Sequence, residues 1–177
     1  MASELSHPAV PLVIAVAAGS VAVPPALTAV ACAASILPDV DAVGFWAGVP
    51  YDAPLGHRGF THSLFFAMVV ALGCSRFASR LGAPASTVLA VVFVATASHG
   101  ALDALTTGGM GVAFFSPFSN ARFFFPWRPI RVSPIGIVPF LSARGTAVLK
   151  SELLFIWAPC ALLAAFGLAA RRLFRAG

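Results

Sequence analysis

The most informative segment of the sequence spans residues 86–106 and reads STVLAVVFVATASHGALDALT. Its first part is apolar or small and uncharged, which is typical of a helix in a hydrocarbon environment. Its last part adds His99 and Asp103, and a helix places two residues at this spacing on one face about one turn apart. Ionisable residues inside membrane helices are costly and usually functional. The stretch therefore predicts a membrane helix that carries a functional pair near its end.

The composition of the chain predicts a polytopic membrane protein. Hydrophobic residues make up 59% of its 177 residues and charged residues 10%, whereas roughly a quarter of the residues in soluble domains are charged. This length suits a single membrane-embedded domain, residues 1–177, with about four to six spanning segments. The net charge of +5 is explained by arginines that meet anionic headgroups, so we expect membrane lipids and not nucleic acid as partners.

Prolines set the boundaries of the first two predicted helices. Pro24 and Pro25 divide an uncharged stretch that is too long for one helix across a roughly 30 Å hydrocarbon core. Because the two resulting helices are short, a re-entrant hairpin packed against protein is an alternative to two spans. We predict an all-α membrane helical bundle of about five helices. Their expected ranges are 9–22, 25–37, 61–79, 86–106 and 150–168.

A long irregular segment, residues 108–147, is expected because five prolines interrupt it. Its aromatic part is followed by or interleaved with Arg122, Arg128 and Arg131. This pattern favours an interfacial lid, with aromatic rings at the headgroup level and arginines that bind a phosphate-bearing substrate. A loop that is only anchored at the bilayer surface is an alternative, and stacking on single-stranded nucleic acid is another.

The scarce acidic and histidine residues fall at the predicted helix ends. Since consecutive helices alternate in direction, we expect these side chains to meet at one face of the membrane. The basic turn at Arg76 and Arg80 and the basic tail then lie at the opposite face, which the positive-inside rule makes cytoplasmic. The site would therefore face outward. The converging residues are His7, Asp39, Asp41, His57, His62, His99, Asp103 and Glu152.

Each of these residues has an ordinary interpretation beside the functional one. Asp39 and Asp41 offer hard oxygen ligands, or they end a helix and form a turn. His62 at a predicted helix start should stay neutral, as a metal ligand must, because the positive end of the helix dipole disfavours imidazolium. His99 and Asp103 could bind one metal, or Asp103 could orient His99. His7 is either a ligand or an interfacial residue.

Three further expectations concern catalysis. Glu152 could be a ligand, a general base or a partner of a nearby cation, and Arg58 could bind an anionic substrate or pair with a carboxylate. Four imidazoles and four carboxylates exceed what one four-coordinate zinc requires, which favours a two-metal site that activates water. We expect Glu152, Arg58 and Asp41 to act in catalysis, with one to three divalent ions, zinc being the expected metal.

Three sequence clusters resemble the YdjM-like family of bacterial membrane-bound, metal-dependent hydrolases. They are Leu37-Pro38-Asp39-Val40-Asp41, Gly56-His57-Arg58-Gly59-Phe60-Thr61-His62-Ser63 and Ser98-His99-Gly100-Ala101-Leu102-Asp103. The resemblance implies a multi-pass inner-membrane helical protein with hydrolase activity. It also implies that His57, His62, His99, Asp103 and the pair Asp39 and Asp41 are its metal residues. Family members often continue the aspartate motif with a histidine, whereas this chain has Ala42.

The order of these motifs is also similar to that of zinc-dependent phospholipase C and P1-type nucleases, which implies phosphoester chemistry. In that interpretation water activated by the metal attacks phosphorus, and Arg58 or Arg122 helps to bind the phosphate. We therefore expect a hydrolase that acts on a lipid or another amphiphilic phosphoester. The alternatives are a metal or proton transporter, a metal-independent lipid phosphatase, and a membrane protein in which the metal only holds helices together. The sequence gives no indication of oligomeric state.

Overall fold

Helices account for the architecture of residues 1–134 and 136–176, which a computed structural model describes, with the backbone alone for 174–176. No β-strand forms in these ranges, and the all-α prediction is confirmed for them. A 3-10 helix, Leu37–Phe45, extends α2, and a π-helical turn, Leu153–Trp157, joins the last two α-helices. The α-helices are α1 (Ala9–Ala18), α2 (Pro25–Ile36), α3 (Leu64–Ser75), α4 (Ala78–Leu81), α5 (Ala85–Ala104), α6 (Ile137–Phe140), α7 (Ala143–Glu152) and α8 (Ala158–Ala176).

Three helical segments are long and apolar enough to cross a membrane. They are Pro25–Phe45, Ala85–Ala104 and Ala143–Leu173. The helices α1 and α3 are apolar but shorter. The chain thus has the segments of a multi-pass membrane protein, whereas the re-entrant arrangement of α1 and α2 and the outward-facing site stay predictions.

Local sequence explains where the helices begin. Pro25 occupies the first turn of α2, where its missing N–H is not needed. Ser63 caps α3, since its hydroxyl accepts the Phe66 N–H at 3.0 Å. Pro84 precedes α5 in an extended conformation. The predicted third helix therefore starts three residues later than expected, and His62 belongs to a short 3-10 turn (Phe60–His62) in front of it.

The predicted extent of the irregular segment was wrong at its C-terminal end. Pro139 lies in the first turn of α6, where proline is tolerated, and α7 begins at Ala143 behind the Ser142 cap. The last helical segment therefore starts near residue 143 and not near 150. Residues 105–134 are irregular, as expected, and they fold back over the end of α5: the Phe125 N–H donates to Ala104 O at 3.0 Å and the Thr107 N–H to Ile130 O at 2.9 Å.

The core consists of α5 packed between α2 and α3, while α1 packs mainly against α8. Many contacts use alanine and valine, for example Ala31, Ala71, Val88 and Ala95, and such small side chains let membrane helices approach closely. This packing brings three chain positions together at one end of the bundle. They are the C-terminal end of α5, the 3-10 extension of α2 and the turn before α3.

Candidate metal centre

Four buried side chains converge at this end of the bundle. The 3-10 extension of α2 supplies Asp39, the turn before α3 supplies His62, and the last turns of α5 supply His99 and Asp103. One ligand atom of each lies within 4.8 Å of those of the other three. All four residues are at least nine-tenths buried. We call these four residues the tetrad.

The distances within the tetrad suit a single cation. The Nε2 atoms of His62 and His99 are 3.1 Å apart, and Oδ1 of Asp39 lies 3.5 and 3.3 Å from them. Oδ2 of Asp103 lies 3.6 Å from His62 Nε2. Ligands at the usual zinc distances of about 2.0–2.1 Å, placed tetrahedrally, are about 3.3 Å apart. The four atoms are therefore spaced as the ligands of one metal ion would be.

Three of the four carboxylate oxygens of the tetrad lack hydrogen-bond partners within the described part of the chain. Both carboxylate oxygens of Asp39 and Oδ2 of Asp103 are buried without a hydrogen bond. Arg58 Nε lies 3.0 Å from Asp103 Oδ2, but the pair does not have hydrogen-bond geometry. Because buried polar atoms are nearly always satisfied, these oxygens indicate a ligand that contacts them. The donor chemistry of the tetrad therefore fits a divalent cation.

The surroundings fix the ring of His99 for ligation through Nε2. Its Nδ1 lies 2.8 Å from the carbonyl oxygen of Ser35 in α2, so Nδ1 carries the proton that it donates there. This leaves the Nε2 lone pair directed at the tetrad. Metal-ligating histidines usually make such a bond with their other nitrogen.

Asp41 orients His62 in the same way. Its Oδ2 lies 3.1 Å from His62 Nδ1, and it also accepts the Thr61 hydroxyl at 2.7 Å. Burial opposes a charge on His62, yet the adjacent carboxylates of Asp103, Asp39 and Asp41 raise its pKa to about 10. The expectation that the helix dipole keeps this ring neutral was therefore wrong, because the carboxylates outweigh the dipole. Since these carboxylates stabilise a proton on the ring, they would also attract a cation, and the two compete for Nε2.

His57 and Arg58 form a second group around Asp41, and we call Asp41, His57 and Arg58 the anchored group. His57 Nδ1 lies 2.7 Å from Asp41 Oδ1, and the Arg58 backbone N–H donates to Asp41 Oδ2 at 3.1 Å. Asp41, His57 and His62 also lie close enough to hold an ion. Both oxygens of Asp41 already accept hydrogen bonds, however, unlike those of the tetrad. Ligation by Asp41 and His57, and catalysis by Asp41, stay predictions.

His7 lies beside the tetrad and not among its four ligand atoms. Its ring stacks on that of His99, with centroids 3.7 Å apart, and its Nε2 is 3.9 Å from Asp103 Oδ1. Both ring nitrogens are buried without a hydrogen bond to a described residue. Burial, followed by the repulsion of His99, lowers the pKa of His7 to about 3. A neutral imidazole in this position is able to bind a metal or a water, and its role as a ligand stays a prediction.

The guanidinium of Arg58 makes its contacts with other residues inside the protein. This fully buried side chain donates to Gly108 O at 2.9 Å and to the Thr106 hydroxyl at 3.1 Å, and it pairs with Asp103. Its backbone has a φ of 63°, a left-handed conformation that is uncommon outside glycine. These contacts favour the ion pair with a carboxylate over phosphate binding, and catalysis by Arg58 stays a prediction.

Glu152 anchors the segment that precedes α1. Its carboxylate accepts hydrogen bonds from the Ser3 N–H and hydroxyl and from the Ser6 hydroxyl, the last at 2.8 Å. Ala2 N–H donates to Asp103 Oδ1 at 2.7 Å. Ser3 and Ser6 could not be found from the sequence, because isolated serines carry no spacing pattern. The structure places Glu152 as an anchor, and the predicted role of general base is untested.

The arginines predicted to bind substrate have different surroundings. Arg122 donates to three backbone carbonyls in the loop before α3, including His57 O at 2.9 Å, and lies over the Tyr51 ring. Arg128 lies over the ring of Phe124 and is exposed, as is Arg131. Arg122 therefore holds the loop that carries His57. Substrate binding by these three residues stays a prediction.

Two cavities of about 420 Å³ each flank the centre. The first, the acidic cavity, is lined by Asp39 and Glu4 among apolar side chains. The second, the basic cavity, is lined by His57, Tyr51 and Arg144. One cavity thus touches a tetrad residue directly, and the other touches the anchored group.

Comparisons with known proteins agree with this architecture. The family described as YdjM inner membrane protein matches residues 1–174. The chain is 42% identical over 165 residues to inner membrane protein YbcI of Escherichia coli (strain K12). The alignment covers 92% of this chain and 95% of that protein. No solved structure matches. A family match over nearly the whole length, with helices suited to several membrane crossings, shows that the chain belongs to the YdjM family of inner membrane proteins.

Proposed function

We propose that this protein is a membrane-bound, metal-dependent hydrolase that cleaves a phosphoester in a lipid or another amphiphilic substrate. The observation that carries the proposal is the tetrad, in which two imidazole nitrogens and two carboxylates face one point and the carboxylates leave oxygens unpartnered. Buried ionisable groups of this kind are costly in a membrane protein and usually functional. Their position at the ends of apolar helices would bring the reaction close to lipid headgroups.

The ligand set limits which metals fit. Imidazole suits zinc, iron and copper, and carboxylate suits harder cations, so a mixed set is compatible with zinc, manganese or iron. Zinc is the metal that we propose, with one ion in the tetrad. Asp41, His57 and His62 also lie close enough to hold an ion, but both oxygens of Asp41 already accept hydrogen bonds, so we place no second ion there.

A bound cation and the residues around it would together prepare the reaction. A bound divalent cation supplies the Lewis acidity that lowers the pKa of water and withdraws charge from a phosphoryl group. Ser35 O and Asp41 hold the rings of His99 and His62 in place. Arg144, at the wall of the basic cavity beside His57, would attract the anionic phosphate. Burial of the tetrad limits the access of bulk water.

A structural metal is the second candidate function. Structural zinc sites are typically closed by four protein ligands, whereas catalytic sites keep one position for water. The tetrad offers four protein ligands, all at least nine-tenths buried, which favours a metal that holds α2, α3 and α5 together. Catalysis would require a fifth coordination position or the release of one carboxylate.

Metal analysis and turnover, measured on the same purified protein, separate the two candidates. We expect stoichiometric divalent metal, and turnover in a screen of phospholipids and small phosphodiesters that chelation abolishes and added metal restores. His62→Ala and Asp103→Ala should lose both metal and turnover, whereas Asp52→Asn, at an exposed loop carboxylate, should lose neither. A metal that raises the melting temperature without supporting turnover identifies the structural role. Full turnover after chelation contradicts the metal-dependent mechanism.

A further inference from the structure

The acidic cavity has a feature that the proposed function does not use. Two acidic residues, Glu4 and Asp39, line it, and most of the remaining lining is apolar, from Ile36, Leu37 and Val40. A cleft whose charges have one sign and whose walls have a low dielectric constant concentrates counter-ions. Two carboxylates in such a cleft attract cations and repel anionic substrates.

Asp39 connects this cavity to the tetrad. The residue is more than nine-tenths buried, and neither of its carboxylate oxygens has a hydrogen-bond partner among the described residues. Oδ1 lies 3.3 Å from His99 Nε2, while the residue also lines the acidic cavity. Asp39 therefore separates the cavity from the histidine nitrogens: the residue lines the cavity, while its carboxylate oxygens are closed to solvent and lie at the tetrad.

Glu4 lies at the outer part of the same cavity. It is exposed, and it belongs to the segment whose Ser3 and Ser6 are bound to Glu152. No ion pair to Glu4 occurs within residues 1–134 and 136–173. The anchored backbone therefore keeps a carboxylate at the mouth of the cavity that is not committed to another contact.

We propose that the acidic cavity is the path by which a divalent cation reaches the tetrad, with Glu4 as its outer ligand and Asp39 as its inner one. The inference rests on the metal site of the proposed function and adds the route by which the ion arrives. The basic cavity serves as the contrast: Arg144 lines it and none of its lining residues is acidic, so it would repel a divalent cation. Cation and anionic substrate would thus approach from different sides.

The rate of metal loading tests the role of Glu4. Protein stripped by a chelator and kept in detergent is mixed with Co²⁺, and the visible absorbance of cobalt bound to nitrogen and oxygen ligands is followed by stopped flow. We expect Glu4→Gln to slow loading by about tenfold or more, since charge focusing in clefts changes association rates by roughly 10- to 1,000-fold. Asp52→Asn removes the same charge from an exposed loop outside the cavity and should load at the wild-type rate.

A steric variant tests the path without changing a charge. Ala33 lines the cavity and is exposed, so Ala33→Trp would fill the space between Glu4 and Asp39. We expect Ala33→Trp to slow loading more than Glu4→Gln does, with an unchanged number of ions bound at equilibrium. Ala26→Trp, two turns earlier in α2 at an exposed position outside the cavity, is the matched control.

The outcomes distinguish this inference from the proposed function. Loading of Glu4→Gln and Ala33→Trp at the wild-type rate overturns the path while leaving the tetrad as a metal site. A wild-type protein that binds no Co²⁺ overturns the metal site itself. A lower equilibrium stoichiometry in Glu4→Gln with an unchanged rate also contradicts the path, because it makes Glu4 a resident ligand.

Discussion

The tetrad and the anchored group lie side by side at His62. They differ in whether their carboxylate oxygens have hydrogen-bond partners. In the anchored group, Asp41 accepts hydrogen bonds at both oxygens, from His57, Thr61 and the Arg58 backbone. In the tetrad, Asp39 has no hydrogen bond and Asp103 has one unpartnered oxygen. Both groups are buried. Unsatisfied oxygens, and not burial alone, therefore distinguish a ligand position from a supporting one.

Removal of a tetrad imidazole should have the largest effect. His99→Ala deletes one of four ligands, and an even share of the roughly 10–16 kcal/mol typical of structural zinc is about 2.5–4 kcal/mol. We expect metal affinity to fall roughly 10²- to 10³-fold, as measured by competition with a chelator of known affinity. His57→Ala is the comparison variant. If it loses as much affinity as His99→Ala, the anchored group holds the ion and the distinction between the two groups fails.

The Asp41→Asn variant should have an intermediate effect. Asparagine keeps the shape of the side chain but has one oxygen instead of two, so it cannot orient His62 and accept from His57 at the same time. Loss of such an outer partner typically lowers metal affinity about 10- to 100-fold, and we expect a loss in this range with an unchanged number of ions. Competition titration and metal analysis together measure both quantities. A variant that no longer binds metal would make Asp41 a direct ligand.

The Glu152→Gln variant should affect stability more than metal binding. The carboxylate accepts three hydrogen bonds from Ser3 and Ser6, and hydrogen bonds to a charged group contribute about 1.5–3 kcal/mol each. Because glutamine still has one accepting oxygen, we expect a loss of about 1–2 kcal/mol, seen as a lower melting temperature in detergent. The metal content should not change. Loss of turnover at unchanged stability and metal content would instead identify Glu152 as the general base.

Much of the tetrad could be predicted from the sequence because its residues sit at positions that local rules control. The helical period places His99 and Asp103 on one face, and alternation of helix direction brings the ends of α2 and α5 together. The distinction between Asp39 and Asp41 could not be predicted. They are two residues apart in a 3-10 segment, and their roles differ because tertiary packing brings Thr61 and His57 to Asp41.

The errors in the fold have a similar origin. The start of the last helical segment was placed too late because five prolines, the last of them Pro139, indicated an irregular segment up to residue 147. Proline is compatible with a first helical turn, however, and α6 uses it there. The prediction that His62 is neutral was wrong because the helix dipole affects the pKa of His62 less than the adjacent carboxylates do. Local patterns thus located the site, and only the packed structure showed how its charges balance.

Substitution of an arginine should have the smallest effect, and it tests where the anionic substrate lies. Arg144 lines the basic cavity beside His57, whereas Arg131 is exposed on the irregular segment and outside that cavity. With a substrate found in the screen, we expect Arg144→Gln to raise KM about fivefold at nearly constant kcat, as an exposed charge contributes up to about 1 kcal/mol. Arg131→Gln removes the same charge and should leave KM unchanged. The reverse result would return substrate binding to the aromatic loop, as the sequence predicted, and would separate the basic cavity from the reaction.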